Sequence, residues 1–85
     1  MQSVGERQFT VLGRSWCHLC DDLLAALQPL ASEFGWTVEV LDIDQHPALL
    51  ARWDELVPVL LHQEHELCHY HLDAAAVRAY CAAFR

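Results

Sequence analysis

Glycine is scarce in this 85-residue chain, which carries only Gly5, Gly13 and Gly35. A backbone that cradles phosphate needs a glycine-rich loop, so P-loop and Rossmann nucleotide binding are excluded. Serine is as rare, with Ser3, Ser15 and Ser32 alone, none of them in a G-x-S-x-G elbow. Lysine is absent. The five basic residues are all arginines, set against 12 acidic ones, for a net charge of -7. That balance opposes a phosphate backbone, so no nucleic-acid partner is expected. No apolar run approaches the roughly 20 residues that span a bilayer, so no membrane partner is expected either. Met1 to Arg7 is polar, and the first apolar run is too short for the core of a signal peptide. The expected location is therefore the cytoplasm, where thiols stay reduced.

What the chain does have is apolar mass: 54% of its residues are hydrophobic. That suffices for a packed core and opposes disorder, and the length supports a single domain over residues 1–85. It also has four cysteines. In a reducing compartment these are chemical or buried rather than two structural bridges. Their spacing divides them. Cys17 and Cys20 form a C-x-x-C, while Cys68 and Cys81 stand alone.

The element pattern is alternating. Phe9–Leu12 is aromatic and β-branched, which predicts a strand broken by Gly13-Arg14-Ser15-Trp16. Leu23, Leu27, Leu30 and Phe34 recur at helical spacing and predict a helix from about Cys17 to Phe34, stopped by Gly35. Pro29 is expected to kink that helix or begin a second one. Thr37–Leu41 is the next strand, and Glu39 in its middle predicts an edge position. Asp44 is expected to cap a short helix over Pro47–Trp53. Val57–Leu61 is a strand with its proline near the beginning. His62–His65 turns the chain, Glu66–His69 returns as a short strand, and Asp73 caps a last helix over Ala74–Phe84. The order β-α-β-α-β-β-α predicts an α/β fold: a four-stranded mixed sheet flanked by three helices.

Cys17 and Cys20 fall between a strand and a helix N-terminus, and that placement gives the motif its chemistry. The thiolate is the nucleophile. Unpaired N–H groups and the positive dipole end favour it at Cys17. Cys20, one turn on, is placed to resolve a mixed disulfide. A helix end is worth about 0.3–1 kcal/mol, so the dipole alone lowers the thiol only slightly. Arg14 adds a nearby positive charge, whereas Asp21 and Asp22 oppose ionisation. His18, between the two cysteines, is a candidate modulator when protonated. Cys81 lies on the apolar face of the last helix, and both it and Cys68 are expected to serve packing.

Of the six histidines, four lie between His62 and His71. They are expected to be solvated hairpin and loop residues. The alternative is a zinc or iron–sulfur site that joins Cys68, His69 and His71 to Cys17 and Cys20. No second C-x-x-C or regular H-x3-H spacing completes it, and no metal ligand is assigned. Pro58 opens its strand, a place compatible with a cis Val57–Pro58 bond.

The stretch Arg14-Ser15-Trp16-Cys17-His18-Leu19-Cys20, the run Val40-Leu41-Asp42-Ile43-Asp44 and Leu56-Val57-Pro58-Val59-Leu60 together resemble the thioredoxin superfamily. The glutaredoxin-like branch, with its short bacterial members, is the most similar, and nearly the whole chain is covered. The resemblance implies a thioredoxin-like fold and thiol–disulfide oxidoreductase activity. It makes Cys17 the nucleophile and Cys20 the resolving thiol. It implies that Val57 and Pro58 present backbone to the substrate and that Arg14 lies near a substrate carboxylate. Leu56 stands where glutaredoxins have threonine, and His18 and Leu19 where proline and an aromatic are common. His69-Tyr70-His71-Leu72 replaces a glycine pair that lets glutathione approach. Those bulky side chains oppose glutathione, which enters only as a cosubstrate implied by the resemblance; no resident cofactor is expected. The expected partner is a small thiol or disulfide, or a protein disulfide, acting on a monomer. A metal-binding protein built on the same cysteines is the second reading. A non-catalytic interaction module with Trp16 and Trp53 as anchors is the third.

Overall fold

The computed structural model describes residues 6–84. Strand β1 (Gln8–Gly13) leads to helix α1 (His18–Phe34) and strand β2 (Thr37–Asp42). A 3-10 turn, Ile43–Gln45, precedes helix α2 (Pro47–Trp53). Strands β3 (Val59–His62) and β4 (His65–His69) form a hairpin, and helix α3 (Ala74–Ala83) ends the fold. The sheet has the order β2-β1-β3-β4. β1 and β2 are parallel, and the other two pairings are antiparallel. Glu39 thus lies on an edge strand, where its carboxylate keeps its water.

Strand alternation sends side chains to two cores. Phe9, Val11 and Leu60 face α1 and α3, packing against Leu23, Leu27 and Val77. Leu12, Val59 and Leu61 face the other way, onto Ile43 and Trp53. Gly35 ends α1 in the left-handed region at φ 74°, a conformation that glycine adopts without cost. The following Trp36 N–H then donates to the Ala31 carbonyl at 2.8 Å, which turns the indole inward onto Phe9 with ring centroids 4.4 Å apart.

Several expectations need correction. Pro29 does not start a second helix, because α1 runs through it. Pro29 and Ala25, whose carbonyl loses its partner, both lie on the exposed face where water replaces the bond. Gly13 does not break β1; it is the last strand residue, paired with Asp42. Asp44 is not the cap of α2. It lies inside the 3-10 turn, where its N–H donates to the Asp42 carboxylate at 3.0 Å, and His46 takes the cap position without a side-chain bond.

His62 is no solvated hairpin residue. It is 3% exposed. Its Nε2 lies 2.7 Å from the Glu6 carbonyl and its Nδ1 2.6 Å from the Tyr80 hydroxyl. Its side chain points to the α1 face by strand alternation, among Trp36, Tyr80 and Phe84. Among the described residues no helix is long and apolar enough to cross a membrane.

Candidate functional site

Strand register gathers the site at one end of the sheet. Leu12 pairs with Val59 and Gly13 with Asp42, so the loop leaving β1, the loop entering β3 and the end of β2 meet there. Cys17 is the N-cap of α1, in an extended conformation with φ -109° and ψ 107°. Its Sγ accepts the Cys20 N–H at 3.2 Å. That is the bond a capping oxygen would make, here made by the sulfur that carries the expected chemistry. Cys17 is joined to Cys20 as a disulfide, with the Cα atoms 5.2 Å apart. Cys17 is half-buried, whereas Cys20 is 8% exposed. The chain therefore presents one sulfur outward and keeps the other beneath it.

Gly13 explains how Cys20 fits. A Cβ added there would stand 3.1 Å from the Cys20 Sγ. Only a residue without a side chain lets the sulfur sit against the end of β1. A cleft of about 200 Å³ opens beside this contact. Val11, Leu24 and Val40 give it apolar walls, and Asp21 and Asp42 also line it.

Arg14 has two partners that were not visible locally. Its guanidinium meets Asp44 at 2.7 Å and Asp54 at 2.8 Å. The Asp44 hydrogen bond and charge, with Asp54 adding to them, raise the arginine's pKa further above its usual value. Both pairs are solvent-exposed, so they act mainly to join the β1–α1 loop to the segment around α2. Trp16, beside Cys17, is 99% exposed and holds φ at 64°. His18 is exposed at the first turn of α1.

Pro58 is buried and Val57 half-buried, and the peptide bond between them is cis. The Pro58 carbonyl accepts the Tyr70 N–H at 2.8 Å, and the Tyr70 hydroxyl donates to the Glu55 carbonyl at 2.6 Å. Tyr70 thereby ties the loop after β4 to the loop before β3. It does so with φ at 65°, a region that favours glycine. Nothing local in the sequence signalled this clasp.

Cys81 is buried in the core on the α1 face, and Cys68 packs partly buried against it. Burial pushes both thiols above their ordinary value, which keeps them protonated and inert. Among the described residues no group of three or more His, Cys, Asp or Glu side chains converges to hold a metal ion.

Comparison with known proteins places this architecture. Residues 8–81 match the model of the glutaredoxin-like domain (DUF836). The chain belongs to that glutaredoxin-like family. Protein Ne2328 from Nitrosomonas europaea, solved by NMR, is 38% identical and superposes with a TM-score of 0.77, over 87% of this chain and 89% of its own. A structural-genomics target protein from X. campestris is 33% identical with a TM-score of 0.68, over 88% and 96% of the two chains. Thioredoxin 1 from Thermosipho africanus shares the fold at 20% identity and a TM-score of 0.61, over 88% of this chain and 94% of its own. No protein of curated function matches the chain. This glutaredoxin-like domain thus has a thioredoxin-type fold, with its C-x-x-C pair at disulfide distance on the N-terminus of α1.

Proposed function

We propose that this glutaredoxin-like protein is a thiol–disulfide oxidoreductase that works through Cys17 and Cys20. The observation that carries the reading is the outward Cys17 sulfur, which caps α1 and accepts the Cys20 N–H while bonded to the sheltered Cys20 sulfur. In the reduced protein the same N–H and the helix end favour the Cys17 thiolate. That thiolate attacks a substrate disulfide, forms a mixed disulfide and expels one substrate thiolate. The Cys20 thiolate then attacks the Cys17 sulfur, expels the second substrate thiolate and restores the Cys17–Cys20 disulfide. Two electrons pass from the dithiol to the substrate.

Val57 and Pro58 present backbone to the substrate. Arg14 acts there as a strut, since Asp44 and Asp54 occupy its guanidinium. His18 tunes the field from the exposed first turn. The partners are small-molecule or protein disulfides, the place of action is the cytoplasm, the working unit is a monomer, and no resident cofactor takes part. Glutathione is a weaker candidate than other thiols, because Tyr70 and its neighbours fill the loop after β4.

The test uses two variants. Cys20→Ser treated with hydroxyethyl disulfide should accumulate a mixed disulfide on Cys17, mapped by mass spectrometry. Cys17→Ser should lose catalytic reduction of the same disulfide. A Cys17–Cys20 pair that cannot be reversibly reduced and reoxidised would end the oxidoreductase reading.

A further inference from the structure

Tyr70 is an unusual residue for its place in two respects. It is an aromatic left 39% exposed, and its backbone sits at φ 65°. A side chain in that left-handed region crowds the following carbonyl, so the conformation favours glycine. Here the backbone and the side chain reach one and the same segment. The Tyr70 N–H donates to the Pro58 carbonyl at 2.8 Å, and its hydroxyl donates to the Glu55 carbonyl at 2.6 Å. The ring meets His69 edge-on with centroids 4.7 Å apart, and His69 Nδ1 lies 2.7 Å from the Glu66 carboxylate. One residue thus braces both ends of the segment from Glu55 to Pro58.

Between those ends lies a peptide group without a partner. The Leu56 N–H donates back to the Trp53 carbonyl at 2.9 Å. Among the described residues the Val57 N–H and carbonyl meet no backbone partner, and Val57 is half-buried. The strand register brings this segment up to the dithiol. β1 and β3 pair Phe9 with His62 through to Leu12 with Val59. One step further, Gly13 stands across from Pro58 at about one strand spacing, roughly 5 Å. Gly13 is the residue against which the Cys20 sulfur sits. Arg14 braces the segment from the other side by holding Asp54 at 2.8 Å. An unpaired peptide group on a segment held in this way is a pairing edge for an extended chain. It binds that chain without first having to be ordered.

We propose that Tyr70 is a positioning residue for peptide substrates: it holds the Val57 peptide group in place to pair with the backbone of an extended chain whose disulfide Cys17 attacks. The proposal rests on dithiol chemistry at Cys17 and Cys20, and it names the substrate class as disulfides in extended peptide segments. Tyr70 takes no part in the sulfur chemistry and acts through the segment it braces. A disulfide that carries no amides has nothing to pair there.

The experiment oxidises the reduced full chain with three uncharged disulfides and compares second-order rates by acid quench and mass. They are hydroxyethyl disulfide, the symmetrical disulfide of a blocked alanine pentapeptide with a central cysteine, and the same peptide N-methylated at the amides flanking the cysteine. In the wild type the parent peptide should react about tenfold faster than its N-methylated form, the effect of one or two neutral hydrogen bonds. Tyr70→Phe removes only the hydroxyl bond. It should lower the ratio of the peptide rate to the hydroxyethyl disulfide rate about fivefold, and leave the corresponding ratio for the N-methylated peptide as it is. Tyr70→Gly suits the left-handed backbone and keeps the N–H, so it should fold, and it should lower the peptide ratio at least as far. A merely structural role would slow all three disulfides together and leave both ratios fixed. An unchanged peptide ratio in either variant, or an N-methylated peptide as fast as its parent in the wild type, would overturn the proposal. A wild type that forms no mixed disulfide with any of the three would instead defeat the oxidoreductase reading, and the positioning role with it.

Discussion

Gly13→Ala should make the Cys17–Cys20 disulfide easier to reduce. The added methyl would lie 3.1 Å from the Cys20 Sγ and 3.4 Å from its Cβ. Ordinary contact begins a few tenths of an ångström further out, so one side must yield. In the oxidised protein the sulfur is tethered to Cys17 on one side and carried by α1 on the other, and it has little room to yield. In the reduced protein the Cys20 side chain is released from the tether and can rotate away. The overpacking cost, about 1–2 kcal/mol at the lower end for inserted methyl groups, therefore falls mainly on the oxidised state. For a two-electron couple this raises the reduction potential by about 20–45 mV. Backbone effects of the substitution act on both redox states and cancel. The assay is equilibration of wild type and variant in graded dithiothreitol buffers, with trapped thiols counted by mass. A potential unchanged within about 5 mV, or one that becomes more negative, would refute the reasoning, because the Gly13–Cys20 contact would then not distinguish the two states.

Two further outcomes follow from the buried polar groups. The Glu6 carbonyl can only accept, so His62 carries its proton on Nε2 and Nδ1 accepts from Tyr80. Tyr80→Phe then strands a ring nitrogen in the core and should cost about 1–3 kcal/mol, read as a lower urea midpoint at unchanged slope; a loss under about 0.5 kcal/mol would show that the nitrogen is satisfied otherwise. Burial raises the Cys68 and Cys81 thiols above the usual 9.0. The unfolded chain therefore releases these protons first, and the thiols' contribution, complete below that value, is lost as pH rises from it toward the higher folded value. Urea unfolding of the oxidised protein should show a fall in stability as pH rises past about 9, and a shallower fall in the Cys68→Ala, Cys81→Ala variant. An identical slope in both proteins would contradict the assignment.

Much of the fold could be read along the chain because its causes are local. The Leu23, Leu27 and Leu30 stripe made α1, the β-branched runs made strands, and Gly35 made a stop. The C-x-x-C was legible for the same reason, since a sulfur that caps its own helix involves only the next three residues. Errors arose where a local rule met a distant partner. Asp44 has the chemistry of a helix cap, but its carboxylate is engaged by Arg14. His62 lies in a polar run, yet the sheet turns it inward to a hydroxyl from α3. Pro29 carries a helix-breaking ring, but buried leucines on either side hold α1 together.

By itself, then, the sequence determined the order of elements, the two-faced apolar pattern and the position of Cys17 at a helix start, because each depends on neighbours within about one helical turn. Only the tertiary structure decided what surrounds the dithiol. Arg14 meets carboxylates 30 and 40 residues away. Gly13 receives the Cys20 sulfur. Tyr70 bonds the loop ahead of Pro58. Those features depend on how parallel and antiparallel strands bring distant loops to one end of the sheet, and side-chain periodicity carries no record of that closure.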